Sequence, residues 1–216
     1  MFTGIIEATG KLAAVVKRGN DISVTIDSAE LDFSDVKLGD SIACNGVCLT
    51  VTHLGPHSFN ADISSETLAH TLFGHYQTGQ RINLEKAMLP TTRMGGHIVS
   101  GHVDGVSQVI KIEQSGRASN IWLSLPAALA RYVAAKGSVT VDGISLTVNE
   151  LNHDAFRLTI VPHTAAHTTI AALKAGSKVH LEVDLIARYL ERLLSKDSAG
   201  ATGGVSMALL SQRGFL

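Results

Sequence analysis

The chain has 216 residues, of which 45% are apolar and 17% are charged, and its formal net charge is −1. This balance is typical of a globular protein and excludes a generally basic surface of the kind that binds nucleic acid or anionic membranes. The first residues lack the basic and apolar regions of a signal peptide, and no stretch approaches the roughly 20 apolar residues of a membrane span. We therefore expect a cytoplasmic protein that binds neither nucleic acid nor membrane.

Cys44 and Cys48 are the only cysteines in the sequence. Two cysteines cannot form a disulfide framework, and no second pair of Cys or His residues accompanies them at zinc-finger spacing. We expect both to be free thiols in a reducing compartment. His97, His102 and Asp104 could suggest a metal site, but a spacing of five residues places the two histidines on opposite faces of a strand. We therefore predict no bound metal ion.

The sequence repeats itself at a constant offset of 97 residues, without a gap. Residues 45–51 (NGVCLTV) return as residues 142–148 (DGISLTV), and residues 3–7 (TGIIE) return as residues 100–104 (SGHVD). Further matches at this offset join Phe59 to Phe156, Ala69 to Ala166, His70 to His167, Thr71 to Thr168, Gly79 to Gly176, Leu84 to Leu181 and Glu85 to Glu182. Because a solenoid unit has only roughly 20 to 50 residues, we predict two copies of one domain-sized module instead.

Alternation of apolar and polar residues predicts half-buried strands along both copies. The apolar residues of the clearest runs are Ile22, Val24 and Ile26, then Ile82 and Leu84, then Ile121, Leu123 and Leu125, and finally Val179, Leu181 and Val183. Turn residues at 55–58 (GPHS) and 152–154 (NHD) each join two such runs. Both modules are therefore predicted to be mainly β, as a small barrel or sandwich.

Helices are few in this pattern. We predict a helix over residues 127–136, because Pro126 precedes it, Gly137 follows it, and three apolar side chains share one face. Its counterpart at residues 29–38 is less regular. Residues 87–96 contain a proline and a Gly-Gly pair, and we interpret them as the linker between the modules.

A further helix is predicted over residues 184–195, with Asp184 placed to cap it. Ile186, Leu190 and Leu193 form an apolar stripe, which could pack on the chain's own barrel or self-associate in a bundle. Residues 196–204 are small and polar, so we expect 196–216 to be a flexible tail, with weak docking of its apolar end at 207–216. The predicted domains are thus 1–96 (including the linker), 97–183, the helix 184–195 and the tail.

Several aligned positions differ in chemistry between the copies. Ile5 corresponds to His102, Cys48 to Ser145, Gly39 to Lys136, Glu66 to His163 and Ala87 to Asp184. Such differences suggest two related pockets that hold similar molecules and treat them differently. We expect Gly4, Gly46, Gly101 and Gly143 to let the backbone approach a planar ligand, since glycine has no Cβ, with hydroxyls supplied by Thr50 and Thr147. The simpler alternatives are that Cys48 is a small core residue and Asp184 only a helix cap.

Four motifs taken together, at residues 1–6 (MFTGII), 45–51, 95–105 (GGHIVSGHVDG) and 142–148, resemble the riboflavin synthase family with its tandem lumazine-binding repeats. The resemblance spans residues 1 to about 195. It implies two six-stranded antiparallel Greek-key β-barrels and a C-terminal helix that assembles a homotrimer, and it leaves open an association with lumazine synthase.

The resemblance also implies a reaction. Two molecules of 6,7-dimethyl-8-ribityllumazine exchange a four-carbon unit, which gives riboflavin and 5-amino-6-(D-ribitylamino)uracil in the last step of riboflavin biosynthesis. Because donor and acceptor are the same compound, no cofactor is needed. One lumazine would bind to each kind of barrel, and the reacting pair would meet where the N-terminal barrel of one subunit faces the C-terminal barrel of a neighbour.

By position, the resemblance assigns two sets of substrate-binding residues. The first comprises Gly4, Ile5, Ile6, Cys48, Leu49, Thr50, Asp62, Ile63, Ser64, Ser65, Glu66 and Thr67. The second comprises Gly101, His102, Val103, Lys136, Ser145, Leu146, Thr147, Thr159, Ile160, Val161, Pro162, His163 and Thr164. We expect each set to line one pocket.

The reaction requires one lumazine to lose a proton from its C7 methyl group and the other to accept a nucleophile at C7. The hypothesis is that His102 transfers the proton and that Cys48 and Ser41 supply or handle the nucleophile. Ser145, Thr147 and Asp184 would orient the partner substrate. The main alternative is a non-catalytic lumazine or flavin carrier, like the fluorescent antenna proteins that resemble this family. The complete motifs of the second copy favour the enzyme.

Overall fold

The computed structural model describes residues 1–200, together with Ser211 and Arg213. Its strands form two closed antiparallel barrels of six strands each, and a C-terminal helix follows them. This confirms the expected fold class. Each barrel encloses its own apolar core, in which Phe59 of the first copy and Phe156 of the second are fully buried at equivalent positions.

The elements of the two copies correspond one to one. The first copy contains β1 (Ala8–Arg18), β2 (Asp21–Asp27), β3 (Ser41–Cys44), β4 (Val47–Leu54), β5 (Ser58–Ile63), α1 (Ser65–His70), a 3₁₀ turn (Leu72–His75) and β6 (Arg81–Lys86). The second contains β7 (Gly105–Ser115), β8 (Ala118–Ser124), β9 (Ser138–Val141), β10 (Ile144–Leu151), β11 (Ala155–Ile160), α2 (Pro162–His167), a 3₁₀ turn (Thr169–Ala172) and β12 (Lys178–Val183). Every strand of the second copy begins 97 residues after its counterpart.

Strand order is also shared. It runs β1-β2-β5-β4-β3-β6 around the first barrel and β7-β8-β11-β10-β9-β12 around the second. The four alternating runs of the sequence lie in β2, β6, β8 and β12, and the two turns connect β4 to β5 and β10 to β11, as predicted. The repeat in sequence is therefore a repeat in structure.

The helix predicted over residues 127–136 is wrong. This stretch contains only a single 3₁₀ turn, Ala130–Tyr132, and residues 29–38 contain bends and turns. Leu129 and Val133 are buried in the second core, so their apolar character reflects packing against the barrel and not one face of a helix. Lys136 has a positive φ of 65°, which a right-handed helix does not allow. The sequence in turn did not reveal α1 and α2, because six residues are too few to show helical periodicity.

Strands β6 and β12 are buried on both faces, whereas their alternating pattern predicted burial of one face. The polar side chains of Asn83, Glu85, His180 and Glu182 are all at most 3% exposed. The outer face of each strand meets the other barrel or the segment that precedes a barrel. The alternating polar residues therefore belong to internal contacts and not to a solvated surface.

The two barrels touch at the tips of two equivalent hairpins. Asn45 and Gly46 have φ of 46° and 81°, and Asp142 and Gly143 have φ of 46° and 79°, as in the type I′ turns favoured by Asn-Gly and Asp-Gly. A Cβ on Gly46 would lie 2.8 Å from the Gly143 nitrogen, and a Cβ on Gly143 would lie 2.7 Å from the Gly46 nitrogen. These glycines serve the contact between the barrels, and the expectation that they approach a ligand is wrong.

Equivalent residues of β6 and β12 flank this contact. Asn83 donates from Nδ2 to the Asp142 carbonyl at 2.9 Å and accepts at Oδ1 from the Thr169 amide at 2.8 Å. His180 replaces Asn83 in the second copy. Its Nδ1 donates to the Asn45 carbonyl at 2.8 Å, and its Nε2 accepts at 2.7 Å from a backbone N–H of the first copy. Since a carbonyl only accepts and an amide only donates, the imidazole is neutral with its proton on Nδ1.

The C-terminal helix α3 runs from Leu185 to Gly200. It is longer than predicted, because residues 196–200, expected to belong to a flexible tail, continue the helix. The rest of that tail, including the predicted docking of residues 207–216, lies outside the described residues apart from Ser211 and Arg213. The chain divides into two compact units between Leu185 and Ile186. Among the described residues, no helix has the length and apolar character that crossing a membrane requires.

Candidate active site

The segments that precede the two barrels each lie against the barrel of the other copy. The Gly4 carbonyl accepts a 2.7 Å hydrogen bond from the Ser145 amide, and the Gly101 carbonyl accepts a 2.9 Å bond from the Cys48 amide. Ile6 packs against the second core and Val103 against the first. Residues 3–6 therefore belong beside the second-copy motif, and residues 100–103 beside the first-copy motif.

This crossing corrects the grouping of the predicted pocket residues. The contacts join residues 4–6 to residues 145–147, and they join residues 101–103 to residues 48–50. The offset of 97 relates equivalent positions but does not show which copy a leading segment contacts. We define the first-barrel site by residues 48–50, 62–67 and 101–103, and the second-barrel site by residues 4–6, 136, 145–147 and 159–164.

Close packing makes glycine necessary in both leading segments. A Cβ on Gly4 would lie 2.6 Å from the Ser145 Cβ, and a Cβ on Gly101 would lie 2.7 Å from the Cys48 Cβ. Both glycines also have positive φ, at 76° and 82°. Packing against the other copy therefore already requires glycine at both positions, and their approach to a ligand stays a prediction.

Two buried carboxylates hold the crossed segments. Glu85 accepts from the Thr3 amide at 2.6 Å, the Thr3 hydroxyl at 2.7 Å and the Gly4 amide at 2.9 Å. Glu182 does the same for Ser100 and Gly101, at 2.7, 2.6 and 3.1 Å. Burial raises the pKa of both carboxyls, although the hydrogen bonds lower it. Both glutamates belong to the repeated Leu-Glu pair, but nothing in that pair indicated what they hold.

The first-barrel site combines groups from four segments. Cys48 is half-buried in β4, and Thr50, which is exposed, pairs across the sheet with Ser41 of β3. His102 is exposed, and its amide donates to the Ser100 hydroxyl at 3.2 Å. The structure therefore places Ser41, Cys48 and His102 around one surface of the first barrel.

Residues 62–67 connect the end of β5 to α1. The Ser64 hydroxyl caps α1 by accepting a 3.2 Å bond from the Thr67 amide, and Glu66 forms an exposed pair with His70. Asp62 and Ser65 are exposed, and the Ser65 amide bonds a carboxylate of β2. The side chains of Leu49 and Ile63 are buried in the first core, so only the backbone of these two residues is available to a ligand.

The second-barrel site is built on β10 and β11. Ser145 is half-buried, Thr147 is exposed, and Leu146 packs against the second core. The hydroxyl of Thr159 donates to Asn120 at 2.8 Å, and the side chain of Ile160 is buried in the core.

Residues that begin α2 complete the wall of this site. Val161 and Pro162 are exposed at the helix start, the His163 ring stacks on that of His167 at 4.3 Å, and the Thr164 carbonyl accepts from the Thr168 hydroxyl. Ile5, which belongs to the crossed segment, has a relative exposure of 48%.

Lys136 has a left-handed backbone conformation, and its counterpart in the first copy is Gly39. Its φ is 65°, and that of Gly39 is 90°. Both amides close the same turn, by donating to the Val148 and Val51 carbonyls at 2.7 and 2.9 Å. A lysine at positive φ costs the fold about 1 kcal/mol relative to glycine, so its exposed side chain is retained at a cost to stability.

Asp184 directly precedes α3 and is half-buried. Its carboxylate raises the pKa of His97, but burial of the imidazole has the larger effect, and the pKa of His97 is lowered overall. His97 Nδ1 lies 2.7 Å from Ser145 Oγ. The sequence singled out His97 only as a doubtful metal ligand, and its contact with Ser145 was not foreseen. Within the described residues, no group of three or more His, Cys, Asp or Glu side chains could hold a metal ion.

Comparison with known proteins identifies this arrangement. The lumazine binding domain model matches twice, at residues 3–87 and 100–184. The chain is 56% identical over 217 residues to riboflavin synthase of Photobacterium phosphoreum and 41% identical over 216 residues to riboflavin synthase of Bacillus subtilis (strain 168), covering 100% of each chain in both cases. The chain belongs to the riboflavin synthase family. Membership of the riboflavin synthase family accounts for the tandem arrangement, since both matches coincide with the structural repeat.

A solved structure has a fold similar to that of this chain. The crystal structure of LumP complexed with 6,7-dimethyl-8-(1'-D-ribityl) lumazine superimposes with a TM-score of 0.76 at 22% identity, over 85% of this chain and 99% of that one. At this identity the likeness concerns the fold alone.

Proposed function

We propose that this chain is a riboflavin synthase, which converts two molecules of 6,7-dimethyl-8-ribityllumazine into riboflavin and 5-amino-6-(D-ribitylamino)uracil. The observation that carries the proposal is the full-length identity to riboflavin synthases. A reaction between two identical molecules needs two pockets for the same ring system. Because the two sites differ in chemistry, the two lumazine molecules would take different parts in the reaction.

In the first-barrel site, we assign proton transfer at the C7 methyl group to His102. His102 is exposed, and an imidazole ring nitrogen can accept a proton, which suits a general base. Cys48 and Ser41 would supply or handle the nucleophile. Their place beside the crossed segment supports this assignment, because residues 101–103 bring His102 to the first barrel.

In the second-barrel site, the partner lumazine would be oriented by Ser145, Thr147 and Asp184, with Lys136 contributing a positive charge. The strained backbone of Lys136 supports this role, since a residue kept at a cost to stability indicates function. Orientation of two rings in reacting register contributes on the order of 7 to 11 kcal/mol in well-ordered reactions, so the walls of both sites matter as much as single reactive groups.

We propose that the working enzyme is a homotrimer in the cytoplasm, with each reacting pair between two subunits. His102, Thr50 and Asp62 are exposed in the single chain, so the first-barrel site is open, and a neighbouring barrel that closed it would exclude water. The apolar stripe at Ile186 and Leu190 of α3 supports residues 184–195 as the assembly helix. The free thiols of Cys44 and Cys48 suit a reducing compartment. An association with lumazine synthase stays a prediction.

Turnover of lumazine alone tests the reaction. The purified protein is incubated with 6,7-dimethyl-8-ribityllumazine without any cofactor, and absorbance follows the loss of lumazine and the appearance of riboflavin. One riboflavin per two lumazines is expected. Tight binding of lumazine without turnover would instead identify a carrier and overturn the proposal.

Substitutions test the assigned roles. His102→Gln and Cys48→Ser should each lower turnover, because they remove the proposed base and thiol without enlarging a cavity. His53→Gln, an exposed histidine later in the same strand as Cys48, serves as the matched control and should leave turnover unchanged. Near wild-type turnover in both site variants, with unchanged folding, would refute the roles given to His102 and Cys48.

A further inference from the structure

His97, which directly follows Gly96, brings an imidazole onto Ser145 of the second-barrel site. His97 Nδ1 lies 2.7 Å from Ser145 Oγ, and the His97 amide donates to the Thr3 carbonyl at 3.1 Å. Gly96 makes this approach possible, because a Cβ there would overlap with the Thr3 carbonyl and lie 2.8 Å from Ser145 Oγ. The position of His97 is thus set by the hydrogen bond of its own amide and by the close packing of Gly96.

This contact distinguishes the two sites. In the first-barrel site, Cys48 occupies the position of Ser145, and a thiol is a weak hydrogen-bonding group. A serine hydroxyl rotates freely unless a partner fixes it, and it can donate only one hydrogen. The direction of the Ser145 hydrogen therefore depends on which role His97 takes.

The second ring nitrogen of His97 decides that role. Among the buried side-chain atoms of the described residues, His97 Nε2 has no hydrogen-bond partner. Burial lowers the pKa of His97, so the ring is neutral near pH 7 and carries one proton. A proton on Nε2 would leave a buried N–H donor unpaired, whereas a proton on Nδ1 leaves only an unpaired acceptor. Unpaired buried N–H groups are the rarer case, which favours Nδ1–H donating to Ser145 Oγ.

We propose that His97 is a positioning residue that donates from Nδ1 to Ser145 Oγ and so turns the Ser145 hydroxyl hydrogen toward the lumazine in the second-barrel site. This inference rests on the proposed function of that site. With its oxygen already accepting from His97, Ser145 presents its single hydrogen to the ligand. His97 acts only through Ser145 and does not touch the substrate.

Two substitutions at His97 separate the hydrogen bond from packing. His97→Asn keeps an N–H donor at about the position of Nδ1, while His97→Leu keeps similar volume and removes the donor. Loss of one neutral hydrogen bond lowers kcat/KM by about three- to tenfold, and this is the effect expected for His97→Leu. His97→Asn should recover activity to within about twofold of wild type, since the donor to Ser145 is retained.

A double-mutant cycle with Ser145→Ala gives the readout that a merely structural role would not move. Once the hydroxyl is absent, His97→Leu should lower kcat/KM no further. Additive losses in His97→Leu/Ser145→Ala would overturn the proposal, as would His97→Leu activity equal to wild type. Folding of His97→Leu is checked by circular dichroism. If it does not fold, the same cycle is measured with His97→Asn in its place. Any loss of kcat/KM in His97→Asn must then vanish in His97→Asn/Ser145→Ala, because the hydroxyl is absent there.

Lumazine affinity is measured in parallel by fluorescence titration. If the wild type binds lumazine but forms no riboflavin, the proposed function fails, and the same cycle evaluated on Kd still tests His97. Coupling between His97 and Ser145 in Kd would then support the contact as a ligand-orienting pair. Absence of coupling in both Kd and kcat/KM would reject the inference while leaving a measured synthase activity intact.

Discussion

The first and second copies meet across equivalent surfaces, yet their central residues differ in chemistry. Asn83 and His180 occupy the same slot, and each donates to one backbone carbonyl and accepts from one backbone amide of the other copy. An amide and an imidazole satisfy the same two partners. At the contact between the barrels, both copies thus make the same two hydrogen bonds although the residue type differs. At the sites, in contrast, Cys48 and Ser145 have diverged in reactivity.

Of the four central residues of this contact, only the two that belong to the second copy are titratable. Asn45 and Asn83 of the first copy are neutral amides, whereas Asp142 and His180 are ionisable and buried. Burial raises the pKa of Asp142 to about 7, although a hydrogen bond from His180 lowers it, and burial lowers the pKa of His180 to about 4. The comparison therefore predicts that pH acts on one half of the contact and not on the other.

The largest effect is expected from breaking the symmetry of the hairpin tips with Gly143→Ala. The new Cβ would lie 2.7 Å from the Gly46 nitrogen, at a φ of 79°, so both steric overlap and backbone strain oppose folding. We expect a loss of more than about 3 kcal/mol in the free energy of unfolding, measured by urea denaturation. Gly116→Ala is the control, since it has a φ of 61° but no atom within 4 Å, and it should lose only about 1 kcal/mol. Equal losses would show that the close approach is unimportant.

The next effect concerns pH. In the folded chain Asp142 holds its proton up to about pH 7, whereas the unfolded carboxyl releases it near 3.8, so this group weakens the fold as pH rises between these values. His180 acts with the opposite sign. Its contribution is fully present above its unfolded pKa of 6.5 and is lost as pH falls toward its folded pKa of about 4. In the wild type the two effects largely cancel between pH 4 and 6.5.

Asp142→Asn removes this cancellation, and its amide oxygen can still accept from the His180 amide, as Asn45 does from Asn83. The unfolding free energy of this variant should increase between pH 4.5 and 6.5 by up to about 3 kcal/mol more than that of the wild type. The double variant Asp142→Asn/His180→Asn copies the first half and should lose the added slope. The explanation fails if the single and double variants show the same dependence on pH.

A smaller effect is expected from each anchoring glutamate. Glu182→Gln replaces a carboxylate oxygen by an NH₂ group that faces backbone donors, which should cost about 1 to 3 kcal/mol of stability. It should also lower turnover, because residues 100–103 bring His102 to the first-barrel site. Glu85→Gln should do the same through residues 3–6 and the second-barrel site.

The stability of both glutamate variants is measured by denaturation, and their activity by lumazine turnover. Glu150→Gln provides the control, since this exposed carboxylate pairs with Arg157 on the surface and contributes little. Normal turnover in either anchor variant would show that its crossed segment is not part of a working site.

The smallest effect is expected from Lys136→Gly, which should raise the stability of the fold and lower the affinity for lumazine. Lys136→Gly should increase stability by about 0.5 to 1 kcal/mol, because glycine accepts the positive φ at this turn, and should weaken lumazine binding. The reciprocal Gly39→Ala, with a φ of 90° and no atom within 4 Å, should lower stability by about 1 kcal/mol. Thermal denaturation and fluorescence titration measure both. A Lys136→Gly variant that bound lumazine normally would remove the functional reason for the strained lysine.

Much of the fold could be predicted from the sequence, because the constant offset and the alternation along β2 and β8 are local patterns that survive in the structure. The destination of the leading segments could not. Residues 3–6 precede the first strand, and no periodicity states which barrel they contact. The helix predicted at residues 127–136 failed for a related reason, since Leu129 and Val133 are apolar through packing on the barrel.

The roles of the site residues stay predictions, whereas the structure corrects how these residues are grouped. The sequence paired each leading segment with the motif of its own copy, and both of these pairings needed to be exchanged. The contacts of Glu85, Glu182 and His97 were not predicted, because their partners are backbone groups or a residue distant in sequence. A buried glutamate on an alternating strand looks the same in sequence as a solvated one.

The near-contact of Gly46 with Gly143 has a consequence for assembly. In the language of oligomers the contact is isologous, since each copy presents the same surface to the other. The covalent connection between the copies adds no new type of interface to such a pair, and it contributes a high effective concentration of one copy around the other. The contact inside this chain is therefore of the kind that would close two separate single-module chains into a symmetric dimer.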